Sequence, residues 1–418
     1  MRPALRRPPP LAGLWVSAAA NSFARTAIQL ALGWITLQLT GSPFMVGAVS
    51  AVRMAPQVPL GIPAGMLADW FDRRTLVVAV TIASTVVALA LAWLLGSSLL
   101  LLPIVLGAAL AVGLLDTLRT TATQAYAYDL AYAAQAARGV AFVNLGTHLL
   151  GTLGGLAGGY TLERYGAPAT FLLIAAVLAV GAVMPVLASA APARLPADHG
   201  ASPVGGDGPV PPVSPVVRAT RPRPSFGAAL ALLLRNPLVA ALVLTIVVAE
   251  ILGFSSTTIM PTFARDVFAV GAAGLGTMTA ARSIGGVLGL AVLSRVGTRD
   301  RSGAILLSAA TALGAALLVF SQAPRFEAGL VCLLAIGAAS AVLDTLGQVL
   351  LQQAVPEQQR GAAMGTWVVA IGFGPLGHLG IGAVAAAIGA PAALALFGAA
   401  LTAFSTLAWR HAALRRAR

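Results

Sequence analysis

Long runs of apolar residues without a single charge dominate this chain. Residues 76–95, 169–187, 304–320 and 390–408 are examples, each about 17–20 residues long, and a helix needs about 20 apolar residues to cross the hydrocarbon core of a bilayer. In lipid, a helix satisfies every backbone N–H and C=O group within such a segment. Because 58% of all residues are hydrophobic and only 9% are charged, we predict an all-α membrane protein.

The positions of the arginines predict the topology. All 26 basic residues are Arg, and 19 of them fall at the termini or in the even-numbered connections between apolar segments. Basic residues favour the cytoplasmic side, so we expect both termini in the cytoplasm. Charges spread in this way share no soluble face, which argues against nucleic-acid binding despite the net charge of +13. The twelve predicted transmembrane helices are 14–39, 43–67, 75–96, 99–123, 139–161, 168–188, 238–260, 272–293, 303–321, 326–351, 361–384 and 389–409.

Four short motifs recur in the same order in both halves of the chain. The second copies follow the first at offsets between 222 and 229 residues, and a segment rich in Pro, Gly, Ser and Arg separates them. We therefore predict two pseudo-symmetric six-helix bundles, residues 1–189 and 237–418, joined by a cytoplasmic linker at 190–236. The repeated pairs are 50–53 with 279–282, 115–118 with 343–346 (LDTL in both), 138–139 with 360–361, and 166–169 with 389–392.

Ionisable residues inside the predicted spans mark a candidate pathway. They are expensive in a membrane and usually face the protein interior or a watery cavity. Spans 3, 6, 9 and 12 contain none, which indicates that every third helix faces lipid. Glu250 is the candidate proton carrier, because burial disfavours its charged form and allows it to take and release a proton. The predicted substrate and proton pathway comprises Glu250, Arg25, Arg53, Arg282, Asn21 and His148.

The role of the arginines stays open at this point. Arg25 and Arg53 either pair with Glu250 across a cavity or bind an anionic substrate. The acids of the two LDTL copies, Asp116 and Asp344, lie within about two helical turns of the predicted cytoplasmic span ends. We therefore predict that both belong to a cytoplasmic gate.

The connection between spans 2 and 3 reads GMLADWFDRR at residues 65–74. It resembles the signature loop of the major facilitator superfamily, G-x-L-A-D-[RK]-x-G-R-[RK], although Trp70 and Asp72 depart from it. The variant is similar to the branch that contains the enterobactin exporter and related secretion transporters. The resemblance covers nearly all of the chain and implies twelve helices in two bundles. It further implies that Asp69 caps a helix of the opposite half, that Arg73 pairs with Asp116, and that Gly65 and Arg74 complete the gate.

Span 5 contains five closely spaced glycines. Such glycines allow helix backbones to approach each other, so we predict a helix-packing motif. The run is also similar to the antiporter motif of the same superfamily, G-P-x-x-G-G, with Gly155 where proline is expected. The motif consists of Gly151, Gly154, Gly155, Gly158 and Gly159.

These features together predict a secondary active transporter rather than an enzyme. We expect proton-coupled efflux of a small amphipathic organic compound, such as a siderophore or a drug-like metabolite, by alternating access. Import or facilitated diffusion is the main alternative, and a non-transporting membrane scaffold is a further one. We expect a monomer in the lipid bilayer of a bacterial inner membrane, with no metal or cofactor, and the Lys-free, Ala-, Gly- and Arg-rich composition favours a GC-rich bacterial genome. The sequence does not specify the substrate.

Overall fold

The computed structural model is a bundle of helices joined by short connections. Helix is the only regular structure among the residues that it describes, which confirms the all-α prediction. Nine stretches of the described chain are long and apolar enough to cross a membrane, so the protein is a multi-pass membrane protein. The described residues are 10–57, 59–60, 71–97, 101–130, 136–188, 226–296, 301–356 and 359–415.

The first half of the chain contributes five helices. Gly41, at φ 63°, makes the tight turn between the first two, a conformation that favours glycine. The fifth helix is interrupted at Gly166, at φ 81° and ψ 177°, and so consists of two arms, 136–165 and 167–187. These arms correspond to predicted spans 5 and 6. The five helices are α1 (Pro10–Thr40), α2 (Pro43–Met54), α3 (Arg73–Gly96), α4 (Leu102–Leu130) and α5 (Ala136–Leu187).

The second half begins with a short helix inside the predicted linker. This helix, Phe226–Arg235, is apolar, and it packs against the next helix, which begins at Pro237, and against a later helix, which begins at Arg360. Residues 190–225 of the predicted linker lie outside the described chain. The helices of this half are α6 (Phe226–Arg235), α7 (Pro237–Leu252), α8 (Gly271–Val296), α9 (Ser302–Ser321), α10 (Phe326–Gln353), α11 (Arg360–Ile371), α12 (Gly374–Ile388), α13 (Ala390–Ala408) and α14 (Ala412–Arg415).

The exact number of spans remains a prediction. One of the nine candidate stretches, Gly146–Leu187, is 42 residues long and contains the break at Gly166. Helix α1 is 31 residues long but is not among the nine, and it carries Asn21 and Arg25 near its middle. Helix α2 has 12 residues, and the residues 61–70 that follow it are not described.

Two predicted spans of the second half are discontinuous. Helix α7 ends at Leu252, and the chain continues as a 3₁₀ segment (Phe254–Ile259), a single α turn and a π turn (Phe263–Val267). Hydroxyl groups in the 3₁₀ segment bond to nearby carbonyls, and Ser255 Oγ donates to Ile251 O at 2.6 Å. Such bonds compete with regular helix. The predicted eleventh span breaks between α11 and α12, where Pro375 lacks an N–H group.

The bundle has two ends. We call the end where residues 187 and 226 lie the linker end, and the opposite end, where Thr40 and Gly271 lie, the far end. Contacts between the two halves include α2 with α12 and α5 with α8. Near the far end, a Cβ atom at Gly159 would lie 2.5 Å from the Ala272 carbonyl oxygen, so only glycine permits this approach. Helices α4 and α11 pack mainly within their own halves.

Candidate functional site

A network of charged and polar side chains lies inside the first half. Asp116 Oδ1 accepts a hydrogen bond from Arg119 Nη2 at 2.6 Å, and Asp116 Oδ2 is 3.5 Å from Arg53 Nη1. Arg119 Nη1 also donates to Asn21 Oδ1 at 3.0 Å, and Arg53 Nη2 donates to Gln29 Oε1 at 3.2 Å. The network therefore ties together helices α1, α2 and α4. We call it the first-half network.

Local sequence explains the geometry of this network. Asp116 and Arg119 are three residues apart on α4, so their side chains share one face of the helix. Gly113 lies one turn earlier, and a Cβ atom there would collide with the backbone carbonyl of Arg53. The backbone of α2 thus approaches α4 closely enough for Arg53 to reach Asp116.

The structure changes the expected surroundings of Asp116. The predicted span 4 ended at residue 123, which put Asp116 near a span end. Helix α4 continues to Leu130, so Asp116 lies near its middle and level with Arg53. Its two arginine partners in the described contacts, Arg53 and Arg119, belong to spans, and the predicted pairing of Asp116 with Arg73 of the loop stays a prediction. The apolar part of this helix ends at Thr123, which matches the predicted span end, so the assignment of Asp116 to a cytoplasmic gate stays a prediction.

The signature loop is only partly described. Gly65 and Asp69 lie outside the described residues, and Arg73 is the first residue of α3. Arg74 donates to the carbonyl oxygens of Pro185, Val186 and Ala188 at 2.9–3.2 Å. Arg74 therefore holds the start of α3 against the end of α5, within its own half.

Asp72 has a role that sequence reasoning missed. Its carboxylate accepts hydrogen bonds from Thr75 N at 2.8 Å and Thr75 Oγ1 at 2.7 Å, which makes it the N-cap of α3. These two bonds hold the pKa of Asp72 below its usual value. An acid directly before a long apolar run, with Thr three residues later, was the available signal.

The second half contains charges that lack direct partners. Glu250 lies near the end of α7 and is 9% exposed. It is close enough to Arg282 and Asp344 to interact with both electrostatically, but it forms no salt bridge or hydrogen bond with either among the described residues. Arg282 Nη1 is buried and has no hydrogen-bond partner in the described chain. We call Glu250, Arg282 and Asp344 the second-half cluster.

The second-half cluster lies beside both helix breaks. A Cβ atom at Gly374, the first residue of α12, would lie 3.5 Å from Glu250 Oε2 and 2.9 Å from Met54 Cε of the first half. Thr258 of the 3₁₀ segment forms a hydrogen bond with Nδ1 of His378 in α12. The interrupted helices thus meet at the buried carboxylate, and broken helices in transporters commonly surround a binding site.

Asp344 occupies the part of α10 nearer the linker end. Its carboxylate accepts a hydrogen bond from Gln348 Nε2 at 3.3 Å, one turn further along the same helix. Ser340 lies one turn before it, and Ser340 Oγ is buried without a partner among the described residues. Asp116 and Asp344, which correspond in the repeat, therefore have different surroundings.

Arg25 and His148 are the exposed members of the predicted pathway. The Arg25 side chain is exposed on α1 and forms no hydrogen bond or ion pair with any described residue. Its charge acts on His148, Arg53 and Arg119, so these groups are neighbours. His148 is exposed on α5. It lies on the same side of α5 as Gly155 and Gly159, which contact α8 nearer the far end.

The glycines of span 5 contact two helices. Three of the glycines face α1: Gly151 lies against Ser22, Gly154 against Phe23 and Gly158 against Ala27. The other two face α8: Gly155 lies against Thr279, and Gly159 lies against Ala272 and Gly276. A side chain at Gly154 would collide with the backbone of Phe23. The run therefore allows close packing both within the first half and between the halves.

Two polar contacts at the far end cross between the halves, and sequence reasoning missed both. Glu163 Oε2 accepts the N–H group of Ala273 at 2.7 Å, in the first turn of α8. Arg265 Nη1 donates to the carbonyl oxygen of Leu37 at 2.9 Å, while it also pairs with Asp266. A carboxylate at a helix N-terminus is stabilised by the unpaired N–H groups and the helix dipole. We call these two contacts the far-end latches.

The described residues offer no cluster for a metal ion. No three His, Cys, Asp or Glu side chains in the described ranges come together as a metal site requires. The arrangement consists of buried charges, one of them at a helix break, close to the contacts between the two halves of the chain.

Solved structures share this fold. The fold is similar to the bacterial homologue of the human lysosomal transporter Spinster in its inward-facing, unoccupied conformation, with a TM-score of 0.70, 15% identity and 96% of each chain covered. It is also similar to the nucleoside transporter NupG, with a TM-score of 0.73, 14% identity, and 96% of this chain and 99% of that one covered. At these identities the likeness concerns the fold alone.

Residues 14–273 match the Major Facilitator Superfamily, and the chain belongs to that family. A curated relative, the Staphyloferrin A transporter of Staphylococcus aureus, is 29% identical over 146 residues. The match covers 34% of this chain and 36% of that relative. It fits the siderophore-related branch that the signature loop resembles.

Proposed function

We propose that this protein is a secondary active transporter that exports a small amphipathic organic compound in exchange for protons. Twelve helices in two six-helix bundles would rock about a central site, with both termini in the cytoplasm of a bacterial cell. The membership in the Major Facilitator Superfamily supports transport of a small molecule. The Staphyloferrin A transporter among its relatives supports a siderophore-like cargo.

One observation carries the proposal of proton coupling. Glu250 is a buried acid at the point where α7 gives way to a 3₁₀ segment, next to the break between α11 and α12. Its neighbouring cation, Arg282, does not bond to it directly in the described chain. A carboxylate in this position can be neutralised by a proton and can lose that proton when the site opens to water, because it is buried and has no direct ion pair with a described residue.

The contacts between the halves support a conformation that is closed at the far end. The far-end latches and the glycine contacts at Gly159 all lie toward that end. His148, on the same side of α5 but nearer the linker end, is exposed. Alternating access would therefore require the latches to break while the linker end closes. The proposed gate residues are Gly65, Asp69, Arg73, Arg74, Asp116 and Asp344.

The test of coupling is Glu250→Gln in proteoliposomes that carry a pH gradient. Substrate candidates are siderophores and drug-like compounds screened on the parent protein. We expect the variant to lose uphill transport while it retains exchange of substrate down its own gradient, because the neutral amide mimics the protonated acid. Glu327→Gln is the matched control, because Glu327 is an exposed acid in the first turn of α10.

The outcome separates the alternatives. Uphill transport by Glu250→Gln at the parental rate would show that the carrier is another group. Uptake driven by a gradient of the opposite sense would favour an importer. If the parent protein transports none of the tested compounds and binds none of them, a non-transporting scaffold is favoured.

A further inference from the structure

The first-half network and its neighbour Arg25 together carry more positive than negative charge. Three arginines, Arg25, Arg53 and Arg119, are near one another, and Asp116 is the single acid bonded to any of them among the described residues. Two of these positive charges are therefore not neutralised by a described side chain. Charges at this depth are costly unless they are paired or face water.

Arg119 makes shorter hydrogen bonds than Arg53, and Arg25 makes none with the described residues. Arg119 bonds to Asp116 at 2.6 Å and to Asn21 at 3.0 Å, and its side chain is 9% exposed. Arg53 approaches Asp116 only at 3.5 Å and keeps guanidinium N–H groups to spare. Arg25 bonds to none of the described residues and is exposed. The most accessible unused donors therefore belong to Arg25, which is exposed, and to Arg53, whose side chain is 15% exposed.

The side of α1 that carries Arg25 is polar. Gln29 lies one turn after Arg25, is also exposed, and accepts a hydrogen bond from Arg53. Ser22 and Thr26 flank Arg25 and are partly buried. A face of this kind does not suit lipid, and the exposure of His148 nearby indicates that it borders the space between the halves.

We propose that Arg25 and Arg53 form a binding site for the oxyanion of an amphipathic organic anion, such as a carboxylate. A guanidinium group presents paired N–H donors that match the two oxygens of a carboxylate. Gln29 positions Arg53, and Asp116 neutralises Arg119, which lines a small cavity together with Arg25. This inference rests on the proposed function and deepens it, because it assigns the anionic part of the substrate to the first half.

The first test measures the charge of the site without any knowledge of the natural substrate. Cys332 is the chain's one cysteine, so Cys332→Ser gives a background for single cysteines. His148→Cys reports beside Arg25, and Gln38→Cys, exposed near the far end of α1, is the matched control. Each purified variant is labelled with an anionic methanethiosulfonate (sulfonatoethyl) and a cationic one (trimethylammonium-ethyl).

We expect the anionic-to-cationic rate ratio at position 148 to exceed that at position 38 by about tenfold, since nearby unpaired charges act with opposite sign on the two reagents. Adding Arg25→Gln should reduce this excess at least several-fold, and Arg25→Lys should preserve most of it. Equal ratios at the two positions would overturn the proposal.

The second test measures binding. The probes are naphthalene-2-carboxylate, its neutral carboxamide, and naphthalene-2-methylamine, which is a cation of similar size. The carboxylate should slow labelling at position 148 more than the other two compounds, and this protection should weaken about tenfold in Arg25→Gln. Equal protection by all three compounds, no protection by the carboxylate, or protection unchanged in Arg25→Gln would each refute an anion site.

Both tests are independent of proton coupling. If both tests fail but Glu250→Gln abolishes uphill transport, the anion site is refuted and the proposed function stands. If both tests succeed while Glu250→Gln transports substrate uphill at the parental rate, the anion site stands and Glu250 is not the proton carrier.

Discussion

The two halves of this protein repeat the same LDTL motif and use its acid differently. Asp116 bonds to Arg119 at 2.6 Å and lies 3.5 Å from Arg53, within a network that includes Asn21. Asp344 bonds only to Gln348 in the described chain, and it interacts with Glu250 at a distance. Internal symmetry thus preserves the position of a carboxylate but not its partners.

This difference separates a rigid part of the site from an adaptable one. Direct ion pairs fix the positions of Arg53, Arg119 and Asp116 in the first half. Fixed side chains suit a site that binds one particular chemical group. The second-half cluster keeps Arg282 Nη1 without a partner among described residues beside interrupted helices. Groups that are not bonded to each other can gain and lose partners as the halves move.

The largest expected effect distinguishes the two acids. Asp116→Asn leaves two arginines without their acid, and breaking a buried pair in this way costs about 3–5 kcal/mol. Asp344→Asn removes no ion pair and should leave the melting temperature nearly unchanged. The measurement is thermal unfolding of both variants in the same detergent. Equal destabilisation by the two substitutions would contradict the comparison.

A smaller effect should distinguish two buried polar side chains. Asn21 bonds to Arg119, to Thr81 Oγ1 at 3.2 Å and to Ser17 O at 2.8 Å, so Asn21→Ala should cost about 1–3 kcal/mol. Ser340 Oγ has no partner among the described residues, so Ser340→Ala should be neutral or slightly stabilising. Thermal unfolding again provides the comparison. If Ser340→Ala were the more costly change, Ser340 would have a partner that the described structure does not contain.

The halves also differ in how their helices are capped. Asp72 caps α3 with a charged group, whereas Asn236 caps α7 with a neutral one, Oδ1 accepting from Leu238 N at 3.1 Å. Loss of either cap, in Asp72→Ala or Asn236→Ala, should cost about 1 kcal/mol at neutral pH.

Only the cap at Asp72 should depend on pH. Its pKa is lowered on folding by the Thr75 bonds, so its contribution is complete above the ordinary aspartate value and is lost as pH falls through the lower folded value. The difference between parent and Asp72→Ala should therefore shrink toward pH 3, whereas that between parent and Asn236→Ala should not. The measurement is thermal unfolding of the parent and both variants at several pH values. A difference that shrinks at low pH for Asn236→Ala but not for Asp72→Ala would contradict this prediction.

The smallest expected effect concerns the contact that joins the halves. Glu163→Gln keeps a hydrogen-bond acceptor for Ala273 N but removes the charge at the start of α8. Such a charge at a helix N-terminus contributes about 0.3–1 kcal/mol, so the equilibrium should shift two- to fivefold toward the conformation open at the far end. Distances between spin labels on α5 and α8 would measure it, with Glu327→Gln as the control. A shift of the same size in the control would exclude the latch.

Sequence alone determined the class, because the physical signals for it are local and strong. Charge-free runs such as 390–408 can only be buried as helices in lipid, and α13 occupies that run as Ala390–Ala408. The glycines of span 5 were likewise recognisable, since close helix approach needs the absence of a side chain, and Gly154 and Gly159 contact α1 and α8. The signature loop at residues 65–74 indicated the family by its residues alone.

Tertiary structure decided which charges meet. Sequence reasoning assigned Arg53 and Arg25 to the pathway and Asp116 to the gate, but their spacing along the chain could not reveal that Arg53 reaches Asp116 while Arg25 forms no bond with a described residue. Nor could it reveal that Glu163 caps α8 in the other half, because that contact joins residues 110 positions apart. Helix formation in lipid depends on each segment's own residues, whereas ion pairs depend on the rotation and depth of helices that only packing fixes.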